Sequence, residues 1–315
     1  MLLVVLYIII FLFVISKITC GWCYSKACLI GKTAIITGGN SGIGYQTALS
    51  LASRGCRVII VDKDDSSDAR STIIKETDNP NIVSKILDLQ SLKSVRAFAQ
   101  NIIETEPRLD ILINNAGTGT SGLQYTEDGL HKTMQVNYYS HFLLTHLLLD
   151  LLKKSAPSRI IFTSSLAAFL TKLKLEDLNP SEEGSFLANF YANSKLCAII
   201  AANEFAAKLR GTGVTANSLH PGGARSRIYI KSFAEEKSFL VFLAGSLALI
   251  FGKSCEEAAQ TTIYLACAKE IENVSGQFFI DCIKFVQPLQ THSKELCKKV
   301  WDTSMKFTGI ENSGS

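Results

Sequence analysis

The sequence lacks a cluster of basic residues. Its 32 lysines and arginines stand against 28 aspartates and glutamates, which gives a formal net charge of +4 spread along 315 residues. Proteins that bind nucleic acid concentrate lysine and arginine on one face or along one stretch, where they meet the phosphate backbone. We therefore expect no nucleic-acid partner.

The sequence also lacks the ligand spacing of a metal site. It contains nine cysteines, an odd number, of which Cys20 and Cys23 form a C-x-x-C pair with Cys28 nearby. A structural zinc site needs four ligands, and no second cysteine pair or histidine completes one. We therefore expect dispersed, reduced thiols in a protein that faces the cytosol, and no bound metal.

Charged residues are absent from positions 1–16, where almost every side chain is apolar, and Lys17 closes the run. With the next two residues, this run approaches the length of a membrane-spanning helix. A cleaved signal peptide is the weaker alternative, because no basic region precedes the run and residues 18–20 make a poor cleavage site. The first lysines of the chain all follow the run, which by the positive-inside rule places the main body in the cytosol. We expect residues 1–19 to be a membrane anchor, most simply in the endoplasmic reticulum.

Beyond residue 31, predicted strands alternate with predicted helices. Short apolar runs suit buried strands, and they span residues 32–36, 57–61, 82–87, 109–113, 159–162 and 276–280. This alternation indicates a parallel sheet covered by helices on both faces. We predict an α/β fold, a Rossmann-like doubly wound parallel sheet, in a single domain over residues 31–288. Residues 289–315 are predicted to be a polar tail, to which we assign no function.

A glycine-rich turn, Thr37-Gly-Gly-Asn-Ser-Gly-Ile-Gly44, joins the first predicted strand to a helical segment. This order presents backbone N–H groups and the positive end of a helix dipole to a pyrophosphate. Gly38 allows the sharp exit from the strand, Gly42 lets phosphates approach the backbone, and Gly44 permits close contact between helix and sheet. The predicted binding residues here are Gly38, Asn40, Ser41, Gly42, Ile43 and Gly44. Because three residues separate the first two glycines of the pattern instead of one, an ordinary strand–helix turn is the alternative.

Acidic residues end the second and third predicted strands. Asp62 lies about 20 residues beyond the glycine turn, where a carboxylate accepts hydrogen bonds from the adenosine ribose and repels a 2′-phosphate. Lys63 could act in the opposite sense, by attracting a 2′-phosphate. The alternative for Asp62 is a solvated acid with no ligand, as part of the acidic stretch 62–68. We therefore favour NAD(H) as cofactor, with NADP(H) as the alternative. Asp88 and Leu89, after the third strand, are predicted to line the same site.

Further polar residues follow the later strands. Asn114-Asn-Ala-Gly117 ends the fourth predicted strand, where it either touches the cofactor or forms a turn. Ser165 ends the fifth, either as a hydroxyl donor to a substrate or as a cap of the next segment. Tyr191 and Lys195 share one face of a predicted helix, because positions i and i+4 lie together. For that spacing alone, a chance pair of surface residues is the alternative.

Taken together, these motifs resemble the short-chain dehydrogenase/reductase family. The matching features run in family order from about residue 31 to about residue 281: the glycine turn, Asn-Asn115-Ala116-Gly117, Asn137, Ser165, Tyr191-x-x-x-Lys195 and Pro221-Gly222. Finer features are similar to the membrane-anchored retinol dehydrogenases within that family: the N-terminal run, Val136-Asn-Tyr-Tyr-Ser, the long segment between Ser165 and Tyr191, and His220-Pro-Gly-Gly-Ala-Arg-Ser. The probabilities of independent chance matches multiply, so the occurrence of all these motifs in the family's order favours the family over coincidence.

The resemblance implies a role for each catalytic residue. Tyr191 is the expected general acid/base, and Lys195 is its activator and a ligand of the nicotinamide ribose. A free phenol has a pKa of about 10, and a nearby ammonium favours its phenolate form at neutral pH. Ser165 would donate a hydrogen bond to the substrate oxygen, and Asn137 would order the water and the helix of a proton relay.

Further cofactor contacts are implied for Asn115, Ala116, Gly117, Pro221, Gly222 and Ser226. Ser226 stands where the family usually has threonine, and it keeps a hydroxyl group for the nicotinamide carboxamide.

The activity implied is the interconversion of an alcohol and an aldehyde or ketone on a small hydrophobic, retinoid-like substrate. A steroid or fatty carbonyl compound is the alternative substrate. The third possibility is a non-catalytic, membrane-tethered nucleotide-binding protein. The presence of all four expected catalytic residues argues against it, because a protein that only binds would not require them. Residues 238–251 are strongly apolar but too short to span a bilayer, and we expect a lid at or near the membrane, with a core helix as the alternative. The oligomeric state is left open, with a homodimer as one option.

Overall fold

The computed structural model describes residues 20–119, 123–179, 190–223 and 252–310. Three predictions lie outside those residues: the anchor at 1–19, the cofactor contact of Ser226, and the apolar stretch at 238–251. Within the described ranges, no helix is both long enough and apolar enough to cross a membrane.

An eight-stranded sheet forms the centre of the molecule, in the order β3-β2-β1-β4-β5-β6-β7-β8. Its strands are β1 Thr33–Thr37, β2 Arg57–Asp62, β3 Ile82–Ile86, β4 Ile111–Asn114, β5 Ser158–Thr163, β6 Val214–His220, β7 Phe278–Ile280 and β8 Ile283–Phe285. All neighbouring strands are parallel except β7 and β8. The predicted doubly wound parallel sheet is confirmed. Strand order reverses beside β1, and the crevice between the carboxyl ends of β1 and β4 is where such sheets bind ligands.

Nine α-helices are present in the described residues: α1 Gly42–Ala52, α2 Ser67–Thr77, α3 Leu92–Thr105, α4 Lys132–Met134, α5 Ser140–Leu147, α6 Leu149–Lys154, α7 Phe190–Lys208, α8 Cys255–Cys267 and α9 Lys294–Phe307. A π-helical turn, Gln135–Tyr139, joins α4 to α5, and 3-10 turns span Leu166–Phe169, Leu175–Leu178 and Leu289–His292. The helical layer that follows Asn137 is divided at Leu148, which separates the end of α5 from the start of α6.

Two apolar cores lie on the two faces of the sheet. Every residue of β1 is buried, as expected for a strand covered on both sides. Ile35 packs into a core shared with α3, α5, α7 and α9, whereas Ala34 and Ile36 pack into a core shared with α1, α2 and α8. Helix α7 is buried around almost its whole circumference, so the residues it carries are held between the sheet and its neighbouring helices.

The chain from residue 289 packs against the domain as far as it is described. Helix α9 places Val300, Trp301 and Met305 in the same core as α7. The ring centroid of Trp301 lies 4.8 Å from that of Phe142 and 4.9 Å from that of Phe205. The predicted division into an anchor, a domain over 31–288 and a polar tail stays a prediction, but α9 is an integral part of the packing.

Candidate active site

The glycine turn has the backbone that the sequence predicted. Gly38 and Gly42 have φ of 68° and 58°, in the left-handed region that favours glycine. A Cβ on Gly44 would lie 2.0 Å from the carbonyl oxygen of Gly38, so only glycine allows α1 to begin so close to β1. The first turn of α1 therefore directs bare N–H groups toward the crevice, where an anion is stabilised.

Thr37, which the sequence analysis did not single out, joins the ends of β1 and β4. Its Oγ1 accepts hydrogen bonds from the backbone N–H groups of Asn115 (2.9 Å) and Ala116 (3.0 Å). The Asn115 side chain donates to the Thr37 carbonyl oxygen at 2.9 Å. The Asn-Asn-Ala-Gly segment is thus fixed beside the glycine turn by the first residue of the glycine motif itself.

His141 extends this network into the helical layer. Its Nδ1 lies 3.2 Å from the carbonyl oxygen of Asn137, and its Nε2 lies 2.9 Å from Thr37 Oγ1. Because a carbonyl can only accept, Nδ1 carries the proton and Nε2 accepts the threonine hydroxyl. Burial lowers the pKa of His141 to about 4, so the ring is neutral and this arrangement holds at physiological pH.

Asp62 closes β2 at one end of the crevice. Its Oδ1 accepts the backbone N–H of Lys63 at 2.8 Å, which turns the carboxylate back toward the strand end. Burial raises the pKa of Asp62, while hydrogen bonds from the following backbone oppose that shift. Lys63 is exposed, and Asp88 Oδ1 accepts the N–H of Gln90 at 2.9 Å. Both strand-end acids therefore shape the turns that follow them.

Asn137 lies in the π-helical turn between α4 and α5. Its Oδ1 accepts the N–H of Thr118 at 2.7 Å, and its Nδ2 donates to the Thr118 carbonyl at 2.9 Å and to Ser194 Oγ at 3.1 Å. Single π-helical turns often occur at functional sites. A Cβ on Gly117 would lie 3.4 Å from Asn137 Oδ1 and 3.5 Å from Lys195 Nζ, so these three residues meet.

Ser165 lies two residues beyond β5 and caps the 3-10 turn at Leu166–Phe169. Its Oγ accepts the N–H of Ala167 at 3.2 Å. This is the capping alternative, yet the bond uses only an oxygen lone pair, and the hydroxyl hydrogen is not consumed by it. The preceding Ser164 donates to the carbonyl oxygen of Lys195 at 2.6 Å, a contact that ties the end of β5 to α7 and that the sequence did not predict.

Tyr191 and Lys195 lie one turn apart on α7, as their spacing predicted. Lys195 Nζ is 5.6 Å from the centroid of the Tyr191 ring and donates to the Thr163 carbonyl oxygen at 3.0 Å. Lys195 is only 3% exposed, and its burial lowers its pKa to about 8. The ammonium is therefore still the main form at neutral pH, but it is held in a medium that makes its field strong.

Three residues near the Pro-Gly turn were not predicted as site residues: His220, Lys253 and Asp281. Nδ1 of His220 accepts the N–H of Leu166 at 3.3 Å, so the end of β6 is tied to the turn that carries Ser165. Lys253 pairs with Asp281, and its aliphatic chain fills the space beside Gly222, where a Cβ would come within 2.6 Å of Cδ. Burial and the Lys253 charge lower the pKa of His220 to about 4.

These elements enclose a cleft of about 740 Å³, within the usual range for cofactor sites of about 300–1,000 Å³. The predicted residues that line it are Gly38, Asn40, Ser41, Gly42, Ile43, Gly44, Asp62, Lys63, Asp88, Leu89, Asn115, Ala116, Gly117, Ser165, Tyr191, Lys195, Pro221 and Gly222. Asn137 lies behind Gly117. In the described part of the chain, no group of three or more His, Cys, Asp or Glu residues is placed to hold a metal ion.

Comparison with known proteins gives a consistent result. The family model for short chain dehydrogenases matches residues 32–237. Mouse retinol dehydrogenase 13 is 42% identical over 292 residues, which is 92% of this chain and 87% of that protein. Mouse retinol dehydrogenase 14 is 42% identical over 298 residues, 89% of this chain and 86% of that protein. Human retinol dehydrogenase 12 is 38% identical over 292 residues, which is 92% of this chain and 90% of that protein.

Solved structures share the fold. An uncharacterised protein from Mycobacterium paratuberculosis has a TM-score of 0.69 at 26% identity, covering 92% of this chain and 98% of that one. A short chain dehydrogenase from Shigella flexneri, solved in complex with NADP, has a TM-score of 0.65 at 23% identity. The match covers 82% of this chain and 100% of that one. At that identity the second structure supports the fold alone.

Proposed function

This chain belongs to the short-chain dehydrogenase family, and from that premise we propose that it interconverts a hydrophobic, retinoid-like alcohol and its aldehyde or ketone. As a member of this family with retinol dehydrogenase relatives, it is a nicotinamide-dependent oxidoreductase that acts on CH–OH groups. The substrate class rests on the relatives' names. The observation that carries the proposal is the meeting of Tyr191, Lys195 and Ser165 at one cleft whose other end is a glycine cradle.

The glycine cradle fits the pyrophosphate of a dinucleotide. Gly42 exposes its backbone through a left-handed φ, and a Cβ at Gly44 would close the approach of α1. The cradle and Asp62 would hold the adenosine half, and Asn115 to Gly117 with Pro221 and Gly222 would hold the nicotinamide half. When bound, the nicotinamide supplies the acceptor or donor of the hydride.

Tyr191 exchanges the proton that accompanies hydride transfer. In oxidation its oxygen takes the proton of the alcohol, and in reduction it returns a proton to the carbonyl oxygen. The ammonium of Lys195, 5.6 Å from the ring centroid, stabilises the phenolate that forms in the oxidative direction. Asn137 holds the turn at Thr118 and, through Ser194 Oγ, the helix that bears both residues.

Ser165 holds and polarises the substrate oxygen. Its oxygen accepts the N–H of Ala167 in the 3-10 turn that it caps, which leaves the hydroxyl hydrogen for the substrate oxygen. A donor at this place stabilises the negative charge that develops on the oxygen in the transition state. The link from Leu166 to His220 keeps that donor in register with the Pro-Gly turn.

NAD(H) is the cofactor we favour, because Asp62 lines the cleft at the end of β2. A carboxylate there accepts hydrogen bonds from ribose hydroxyls and repels a 2′-phosphate. NADP(H) is the alternative, with Lys63 as the cation that would meet the phosphate.

The protein is proposed to be held in the endoplasmic reticulum membrane by residues 1–19, with the domain in the cytosol. An apolar alcohol partitions into a bilayer, so a tethered enzyme meets its substrate there. The assignments of Ser226 to the carboxamide and of residues 238–251 to a lid belong to the same proposal.

The test of mechanism is Tyr191→Phe. The variant should keep its fold and its nucleotide affinity, while turnover falls by about two orders of magnitude or more, on the scale of general acid/base loss. Activity would be measured on a retinol, a sterol and a long-chain fatty alcohol with NAD and with NADP, which also separates the alternative substrates. Tyr24→Phe is the matched control, since Tyr24 is exposed. Near wild-type turnover in Tyr191→Phe would contradict the mechanism.

A further inference from the structure

The C-x-x-C segment near the start of the described chain lies along helix α8. Cys23 is 244 positions away from Cys267, the last residue of that helix, yet their Sγ atoms are 3.9 Å apart. In a disulfide the two sulfurs are about 2.05 Å apart, so an approach of roughly 2 Å would join them. The motif has a thiol partner that its spacing alone could not indicate.

Hydrogen bonds on both sides of Cys23 hold the segment in this position. The N–H of Cys23 donates to Oε1 of Gln260 at 3.2 Å, and Ser25 Oγ donates to the carbonyl oxygen of Cys267 at 3.3 Å. The guanidinium of Arg54 donates to the Ser25 carbonyl oxygen. The two thiols are therefore held together by three contacts besides their own.

The two sulfurs are chemically unequal. The hydrogen bond between the two thiols lowers the pKa of Cys23 and raises that of Cys267, and the charge of Arg54 favours the Cys23 thiolate further. Cys23 is partly exposed, whereas Cys267 is buried. A thiolate that solvent can reach, next to a buried second thiol, has the features of an attacking and a resolving cysteine.

We propose that Cys23 and Cys267 are a reversible oxidation site, at which a low-mass disulfide of the glutathione type is reduced and an intramolecular disulfide forms. The Cys23 thiolate attacks one sulfur of the low-mass disulfide, so that a mixed disulfide forms and one thiolate leaves. Cys267 then releases its proton to solvent and attacks Sγ of Cys23, expelling the second low-mass thiol. Two protein thiols are oxidised, and one low-mass disulfide becomes two thiols.

The bond would fasten the N-terminal segment to a helix that reaches the active site. Helix α8 begins at Cys255, which lines the cleft, and it follows Lys253 behind the Pro-Gly turn. A cross-link between residues so far apart in the chain restricts the unfolded state strongly. We therefore expect the oxidised protein to melt several degrees above the reduced one.

The experiment treats the full-length protein with oxidised glutathione, blocks remaining thiols, and digests with trypsin without reduction. Mass spectrometry should find peptide 18–26 linked to peptide 254–269, and the link should disappear on reduction. Each of these peptides contains two cysteines, so variants assign the bond. Cys23→Ser and Cys267→Ser should abolish the link and the rise in melting temperature, whereas Cys20→Ser and Cys255→Ser should keep both.

Two results would overturn the proposal. One is a link that persists in Cys23→Ser or Cys267→Ser, or that joins Cys23 to Cys282. The other is a protein that carries only glutathione adducts, with no internal link, while it melts as the untreated protein does. If Cys267→Ser fails to fold, Cys267→Ala serves in its place, because alanine removes the sulfur without adding a polar group to a buried position.

Discussion

Thr37 shows how much of the site depends on single buried polar groups. One hydroxyl accepts from two amides of the strand end beside it and meets the neutral ring of His141. A buried polar group without partners is costly, whereas a fully paired network is rigid. The same logic applies to Asn137, whose side chain holds Thr118 from both sides. The backbone that lines the cleft is thus fixed by buried side chains whose polar atoms are bonded to it.

Asp62 is the residue on which cofactor choice depends in our proposal. Replacing it with alanine removes a like charge that a 2′-phosphate would face, and such juxtaposition costs several kcal/mol. We expect Asp62→Ala to shift the ratio of kcat/KM for NADP over NAD upward by at least about tenfold. Asp68→Ala changes the net charge equally on the exposed side of α2 and should leave the ratio unchanged. A wild-type enzyme that already prefers NADP would show that Lys63 dominates.

Lys195 should set the alkaline limit of carbonyl reduction. Burial lowers its pKa to about 8, so its ammonium is present below that pH and is lost as pH rises through it. Tyr191 must also be protonated to act as an acid. Loss of a proton from either Lys195 or Tyr191 therefore lowers kcat for reduction. We expect kcat for reduction to be flat near pH 6.5–7 and to fall as pH passes about 8. A profile that stays flat to pH 9.5 would contradict an ammonium role for Lys195.

Helix α9 packs into the core, and we expect it to contribute to the stability of the domain. Trp301 packs edge-on against Phe142 and Phe205, and the Lys208 ammonium lies 4.7 Å from its ring centroid. Trp301→Ala should lower the free energy of unfolding by about 3–5 kcal/mol, the usual cost of deleting a buried aromatic side chain. Unfolding in denaturant measures this free energy. Lys298→Ala, on the exposed face of the same helix, should change the free energy of unfolding by less than about 0.5 kcal/mol. Equal effects of the two substitutions would contradict the packing of α9 in the core.

The elements that could be predicted from sequence are those whose signal is local. The turn after β1 carries glycines at the positions where the backbone requires them, and residues 58–61 of β2 are a continuous apolar run. Strand β6 was not predicted, because Thr215, Asn217 and Ser218 interrupt its apolar pattern. The structure explains that polarity: the Asn217 side chain donates to the Val274 carbonyl and accepts the N–H of Gln277. Its polar atoms are paired by a segment almost 60 positions later.

The residues behind the Pro-Gly turn also could not be predicted, because their contacts are made between distant segments of the chain. Lys253 and Asp281 are 28 positions apart in the sequence. They come together only because β7 and the start of α8 meet behind Gly222. Asp281 and Cys282 have φ of 53° and 62°, a two-residue hairpin turn without glycine that a sequence pattern does not indicate. Tyr191 and Lys195 could be paired in advance because one helical turn separates them.

The start of the described chain lies near the site. Gly21 packs against the backbone of Asp281, where a Cβ would come within 1.8 Å of its carbonyl oxygen. From there the chain passes along α8 to Leu29, whose N–H donates to the Arg54 carbonyl at 2.8 Å. It then enters the central strand β1 at its amino end. The proposed anchor is therefore joined to the domain on the side where the cleft opens, which suits a substrate delivered from a bilayer.

Asn273 provides a test of the proposed membrane topology. It begins an Asn-Val-Ser sequence in an exposed loop, so a transferase in the lumen could reach its side chain. If residues 1–19 anchor the protein with the domain in the cytosol, Asn273 carries no glycan. The full-length protein made with microsomes should then be degraded by added protease while the membranes are intact, and Asn273→Gln should migrate as the wild type does. Protection from protease, together with a glycosidase-sensitive mass that Asn273→Gln removes, would place the domain in the lumen and reverse the proposed orientation.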